Sequence, residues 1–399
     1  MNVSKISDHV HYIGVNDRTS NLFEALWPLP YGVSYNSYLI TGSDKCAIID
    51  GVEAGYELKQ IDHIHQLLGD RQPDYLIINH MEPDHSGAIR ILRETFPDIT
   101  IVGNTITIGM VKGFYGVDTN TMTVKDGDSL SLGGDATLRF TLTPMVHWPE
   151  TMMTYLEEEA TLFSGDAFGC FGALCGAVVD SGMDTDPFFP EMVRYYSNIV
   201  GKYGQFVQKA IAKFNHVTVR TLCPTHGPVW RERLGEMVGL YDRLSRYEAL
   251  DNGVTIVYGS MYGNTEMMAE AAAEALAAAG VRKIAVHNAS RSDLSHIIAD
   301  IFRHRGLVIA APTYSETLFP PVRAVMDAMV TRGIKNREII TVGSCTWSQR
   351  AVKIMSDYLE ALGSTCIAEP IAIRQAPTSE QLELCRAAAT ALAAKLREE

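Results

Sequence analysis

Two α/β domains in tandem are the architecture predicted by the order of apolar runs in this chain. Three observations carry that expectation. The 399 residues exceed the size at which one hydrophobic core usually stops growing. The spacing of strands and turns changes near residue 250. Beyond that point, five near-continuous apolar runs alternate with helical stretches, as in a doubly wound parallel sheet.

In the first part, short strands are bounded by Gly and Asp turns. They read in order as HVHYIGV, NSYLITG and CAIID, then a helical stretch, then YLIINH, TLRFTLTPMVH, MMTYLEEEATLFSGD and VTVRTLCPTH. Strands interleaved with helices imply sheets covered by helices. In the second part the strands are VTIVYGS, KIAVHN, GLVIAAPTY, EIITVGS and STCIAEP. Helical segments include EMMAEAAAEALAAAG and the closing SEQLELCRAAATALAAKLREE. The expected domains are residues 1–250 and 251–399. The junction is placed in a helix around Met237–Leu250 that runs into Asp251-Asn252-Gly253.

Composition narrows the function classes. Hydrophobic residues make up 46% and charged residues 20%, a globular balance sufficient for two cores. A formal net charge of −13 argues against nucleic acid or an anionic membrane as partner and suits a cationic redox partner. The start, MNVSKISDHVHYIG, has no apolar run behind a basic segment, and the longest apolar stretches have strand length. Seven cysteines, odd in number and never spaced C-x-x-C, predict free thiols in a reducing, cytoplasmic compartment. They also exclude a rubredoxin-type or zinc-ribbon cluster built from these residues.

The densest chemistry lies in YLIINHMEPDHSG, where His80, Glu82, Asp84 and His85 fall within six residues directly after a strand. A loop can aim such side chains at one point, whereas a strand sends alternate residues to opposite faces. Imidazole nitrogen and hard carboxylate oxygen together suit a divalent metal. His147 in PMVHWPE, Asp166 in LFSGDAFG and His226 in CPTHGP follow, each at a strand end. One such residue alone is an ordinary capping or surface group. Seven in this order are a metal constellation.

This set resembles the metallo-β-lactamase superfamily, whose H-x-H-x-D-H signature is followed by distant His, Asp and His. Glu82 stands where that signature has its second histidine, and the added carboxylate favours iron over zinc. H-x-E-x-D-H ahead of a flavodoxin-like half resembles the flavodiiron proteins, and WPLPYGVSYNSYLI, VHWPE and GDAFG extend the likeness along the chain. The resemblance implies an αββα metallo-β-lactamase-like sandwich followed by a flavodoxin-like five-stranded parallel sheet. It further implies one iron on His80, Glu82 and His147, a second on Asp84, His85 and His226, and a bridging Asp166. Trp148, Tyr195 and Tyr196 become neighbours of the metals by the same likeness. Glu24 falls where several relatives carry histidine.

In the second half, Ser260-Met261-Tyr262-Gly263-Asn264-Thr265 joins a strand to a helix. Small hydroxyl residues and glycine there let backbone N–H groups wrap a phosphate at the positive helix end. Lacking the lysine of a Walker A loop and the G-x-G-x-x-G of a dinucleotide fold, the loop suits a phosphate monoester such as that of FMN. Pro312-Thr313-Tyr314-Ser315-Glu316-Thr317 and Gly343-Ser344-Cys345-Thr346-Trp347 end at the same sheet edge, where ligands of such folds bind. Trp347 and Tyr314 could flank an isoalloxazine ring. The three loops resemble those of flavodoxin, although Trp347-Ser348-Gln349-Arg350 stands where many flavodiiron proteins are glycine-rich.

The resemblance implies reduction of dioxygen to water, of nitric oxide to nitrous oxide, or both, with electrons passing through FMN. It also implies a head-to-tail homodimer or dimer of dimers, and an external donor such as rubredoxin or a reduced deazaflavin. Two rivals use the same scaffold: a dinuclear zinc metallohydrolase and a non-catalytic electron-transfer flavoprotein.

Overall fold

The computed structural model describes residues 3–398. The chain divides into two compact units, Met1–Asp242 and Arg243–Glu399, with the division inside the helix Leu234–Ser245.

The first unit holds two sheets. In the seven-stranded sheet, the strands Ser4–Lys5, Val10–Tyr12, Tyr38–Thr41 and Cys46–Ile49 pair antiparallel. From Cys46–Ile49 onward, Tyr75–Ile77, Thr100–Gly103 and Thr121–Thr123 pair parallel. Parallel neighbours need crossovers, supplied here by the helices Glu57–Leu68, Ile89–Thr95 and Thr105–Tyr115. The last of these starts at Asn104, whose side chain accepts from the Ile106 and Thr107 N–H groups.

The five-stranded sheet runs Ser129–Ser131, Thr137–Leu142, Met152–Leu156, Thr161–Gly165 and Thr221–Pro224, antiparallel except for its last pair. The segment MMTYLEEEATLFSGD is therefore two strands, because Glu157–Ala160 forms a turn in which the Ala160 N–H donates to the Glu157 carbonyl. Tyr38 of the first sheet meets Phe163 of the second at 5.3 Å between ring centroids. This is the layered sandwich expected from the metallo-β-lactamase likeness.

The second unit has five parallel strands in the order Ile284–Asn288, Asp251–Tyr258, His304–Tyr314, Glu338–Cys345 and Ile371–Arg374. Numbered along this half, that order is 2-1-3-4-5, the flavodoxin-like winding. The fifth strand lies beyond STCIAEP, where the sequence places it. Cys366 makes only an isolated bridge to Ile339, and regular pairing starts after Pro370, which has no N–H for the ladder. Beneath the sheet, the helices Asn264–Ala278 and Ser379–Lys395 contribute Met268, Leu276, Ala389 and Leu392 to the core.

Candidate metal centre and phosphate-binding crevice

The seven candidate ligands come together in the first unit. After the strand Tyr75–Ile77, the Asp50 carboxylate accepts from the backbone N–H groups of Asn79 at 2.8 Å and His80 at 3.4 Å. Pro83 begins a one-turn helix, Pro83–Ser86, where its missing N–H costs nothing. The Ser86 hydroxyl closes the turn onto the carbonyls of Met81 and Glu82 at 2.9 and 3.0 Å. This turn carries Asp84 and His85 to the same point as His80 and Glu82.

His80, Glu82, His147 and Asp166 form one group and Asp84, His85 and His226 a second, each with ligand atoms within 4.8 Å of one another. His147 Nε2 lies 3.0 Å from both Glu82 Oε2 and Asp166 Oδ2, and His80 Nε2 lies 3.3 and 3.4 Å from the same two oxygens. On the other side, Asp166 Oδ1 is 2.9 Å from His85 Nε2 and 3.8 Å from His226 Nε2. Asp84 Oδ2 is 3.3 Å from each of those two imidazoles. Asp166 therefore turns one oxygen to each group, and the Thr225 hydroxyl donates to Oδ1 at 2.6 Å.

Imidazole orientation is set from behind. Glu150 Oε1 lies 2.8 Å from His80 Nδ1 and accepts from the Met81 N–H at 2.9 Å, leaving His80 Nε2 for the cluster. The Ser34 carbonyl takes the same role at His226 Nδ1, at 2.8 Å. Phe23, Tyr35 and Tyr195 enclose the His226 ring at 5.3, 5.8 and 5.5 Å. Glu150, Asp50, Ser34, Thr225, Phe23 and Tyr35 were not singled out in the sequence. Glu150 lies in the quoted VHWPE and Asp50 ends CAIID, so a buried-type acid at a strand end was the available signal.

Charge balance tests whether cations fit. Burial pushes the Asp84 carboxyl up to about 8, with Glu82 and Asp166 adding to the effect against His85. Burial opposes ionisation of Glu82, yet His147 and His80 hold it below the usual carboxylate range. Burial likewise opposes the His147 cation, but Asp166 and Glu82 bring it to about 9. Without metal, the site thus holds protons where positive charge is needed. Both Asp84 oxygens and His226 Nε2 are buried with no hydrogen-bond partner. Converging, unsatisfied buried ligand atoms of this kind fit divalent cations.

The neighbouring residues divide. Trp148 sets its ring edge-on to His80 at 5.3 Å. Tyr195 faces His226, and its buried hydroxyl has no partner. Tyr196 packs on Tyr241 at 4.9 Å instead. At the solvent rim, Glu24 accepts from the Trp27 indole at 2.9 Å, and burial together with the nearby Glu82 carboxylate raises it to about 7.

In the second unit, the three loops meet at the carboxyl edge of the sheet. Gly263, with φ of 89°, precedes the helix Asn264–Ala278 and supplies no side-chain cap, so the first helical N–H groups are left for a ligand. Ser260 Oγ accepts from the Gly263 N–H at 3.0 Å. The buried hydroxyls of Thr265 and Ser344 join the first loop to the third at 2.8 Å. Ser315 and Glu316, both at positive φ, turn the strand His304–Tyr314 back onto Thr317–Leu318.

A cavity of about 290 Å³ lies between Met261, Tyr262, Thr313, Tyr314, Ser315, Glu316, Thr346 and Trp347. Tyr262 is 88% and Trp347 76% exposed, which leaves two free aromatic faces beside it for a planar ring. The remaining loop residues stand differently. Cys345 turns its thiol to the Ile373 carbonyl, Pro312 is buried in the ladder opposite Ser344, and the Thr313 hydroxyl accepts from the N–H groups of Arg350 and Ala351.

Comparison with known proteins places both halves. Residues 33–227 match the model of the ODP family beta lactamases and residues 256–388 that of flavodoxin. The chain is similar to the anaerobic nitric oxide reductase flavorubredoxin of Escherichia coli O1:K1, at 31% identity over 96% of this chain and 80% of that protein. Among solved structures, it resembles the rubredoxin oxygen:oxidoreductase of the anaerobe Desulfovibrio gigas, with a TM-score of 0.93 and 28% identity over 99% of both chains. The flavodiiron protein of Giardia intestinalis has a TM-score of 0.93 and 25% identity over 99% of this chain and 97% of that one.

Proposed function

This chain belongs to the flavodiiron proteins, and from that premise we propose that His80, Glu82 and His147 hold one iron, Asp84, His85 and His226 the other, with Asp166 between them. The protein is an oxidoreductase with a non-haem di-iron centre and FMN, and it reduces dioxygen to water, nitric oxide to nitrous oxide, or both. The observation that carries this reading is the Asp166 carboxylate, with Oδ2 in one ligand group and Oδ1 in the other. When bound, the irons supply redox chemistry and Lewis acidity to a small diatomic, and FMN supplies electrons one or two at a time.

The chain's own residues present and insulate the site. Glu150 and the Ser34 carbonyl hold His80 and His226 with Nε2 forward. Glu82, Asp84 and Asp166 bring three carboxylates among four imidazoles, a harder donor set than a dinuclear zinc hydrolase of this scaffold presents. That alternative also leaves the FMN half without a role. Tyr195 offers its unpartnered hydroxyl beside the cluster, where it can hydrogen-bond to what binds there. On the flavin side, the uncapped start of Asn264–Ala278 with Ser260 and Thr265 would hold the phosphate, and Tyr314 and Trp347 would flank the ring.

Anaerobic turnover of pre-reduced protein, after iron and FMN have been quantified, tests this function. At least one of the two diatomics should reoxidise the flavin far faster than it oxidises free FMN. Failure of both, or zinc in place of iron in fully loaded protein, would sink it.

Electrons arrive from a partner, for which rubredoxin or a reduced deazaflavin is the proposed source. Seven unpaired thiols support a cytoplasmic setting, and among the described residues no helix is long and apolar enough to cross a membrane. A head-to-tail homodimer, or a dimer of such dimers, is proposed to bring the FMN of one subunit to the irons of another. Co-expression of a His147→Ala chain with a Gly263→Val chain tests it. If electrons cross between subunits, the mixed dimer regains activity that neither variant has alone. A mixed dimer as inactive as its parents refutes the arrangement.

A further inference from the structure

Behind the metal centre, on the side of the helix Gly204–Lys213, the first unit contains a cavity of about 220 Å³. Among the residues that line it, only Asn215 is polar. Its inner wall includes Val146 and Ala167, the chain neighbours of His147 and Asp166, together with Phe168. Val207 and Ala210, one helical turn apart, face it from the helix, and the exposed Asn215 lies at its rim. Toward Asn215 the cavity opens to solvent between Phe214, Val217 and Val219, which are half-buried, while its inner wall is fully buried.

We propose that this cavity is a reservoir for the small apolar diatomic consumed at the metal centre, a role that rests on the di-iron reading above. Water gains little against such walls because it finds almost no polar partner there, and apolar linings of this kind take up xenon. Dioxygen and nitric oxide are likewise small and scarcely polar, so transfer from water into the cavity favours them. The backbone that builds the inner wall also carries two of the proposed ligands. Gas gathered there is therefore held against the wall that carries two of the proposed ligands, beside the site that uses it.

Xenon-pressurised crystals of the iron- and FMN-loaded protein are the direct probe, because xenon occupancy does not depend on turnover. Xenon should occupy the cavity in the wild type and be absent from Ala210→Phe. In iron- and FMN-loaded enzyme, the same substitution should raise KM for the reducible diatomic by about 3- to 10-fold with a much smaller change in kcat. Val207→Met, a milder filling, should shift both readouts in the same direction if Ala210→Phe does not fold. An empty wild-type cavity under xenon overturns the proposal, as does an unchanged KM in a variant that excludes xenon. Loss of the di-iron reading would appear separately, as wild-type protein that binds xenon yet reduces neither diatomic.

Discussion

Asp166→Ala is expected to strip the protein of iron and to lower reduction of either diatomic by about a thousandfold or more, the scale of the several kcal/mol that a metal centre contributes. Asp166 alone belongs to both contact sets, lying near His147 and His80 through Oδ2 and near His85 and His226 through Oδ1. Its removal leaves four imidazoles around two carboxylates and takes away one of the two carboxylates, Asp166 and Glu82, that raise His147. Iron per chain should fall well below one while FMN content and far-UV circular dichroism stay at wild-type levels, because the flavin loops belong to the other unit. Metal analysis beside stopped-flow reoxidation gives the answer. Two irons retained per chain, with activity within tenfold of wild type, would show that Asp166 is not the shared ligand.

Gly263→Val should weaken FMN binding by about a hundredfold, a loss of roughly 3 kcal/mol. At φ of 89°, Gly263 occupies backbone space that a β-branched residue enters only under strain of about 1–3 kcal/mol. The chain can relieve that strain by moving the first N–H groups of Asn264–Ala278 off the phosphate position, so the cost falls on the ligand. Titration of the full-length apoprotein with FMN, followed by quenching of flavin fluorescence, measures it. Iron content should be unaffected. Unchanged FMN affinity would mean that the phosphate sits elsewhere.

The seven side chains that cluster could be picked out in the sequence because metal binding demands rare residue types, and the fold delivers them from strand ends where the motif is local. The residues that support them left weaker traces. Glu150 is one acid in a short loop, and Ser34 acts through a backbone carbonyl that every residue possesses. The choice between Tyr195 and Tyr196 was also closed to sequence reasoning, since adjacent helical residues point about 100° apart. Tyr195 ends the helix Phe188–Tyr195, and Tyr196 begins the wide π turn Tyr196–Val200. The parallel sheet of the second half was legible in its continuous apolar strands. Its last strand was misplaced by a few residues because β-rich composition in STCIAEP outweighed the missing N–H of Pro370.

A carboxylate that gives one oxygen to each of two neighbouring positions makes their occupancies interdependent. Thermodynamic reciprocity then applies: whatever factor a first ion contributes to the affinity of the second, the second contributes to the first. If Asp166 is the shared ligand proposed above, filling and emptying of the pair would be one linked equilibrium, with this carboxylate coupling them.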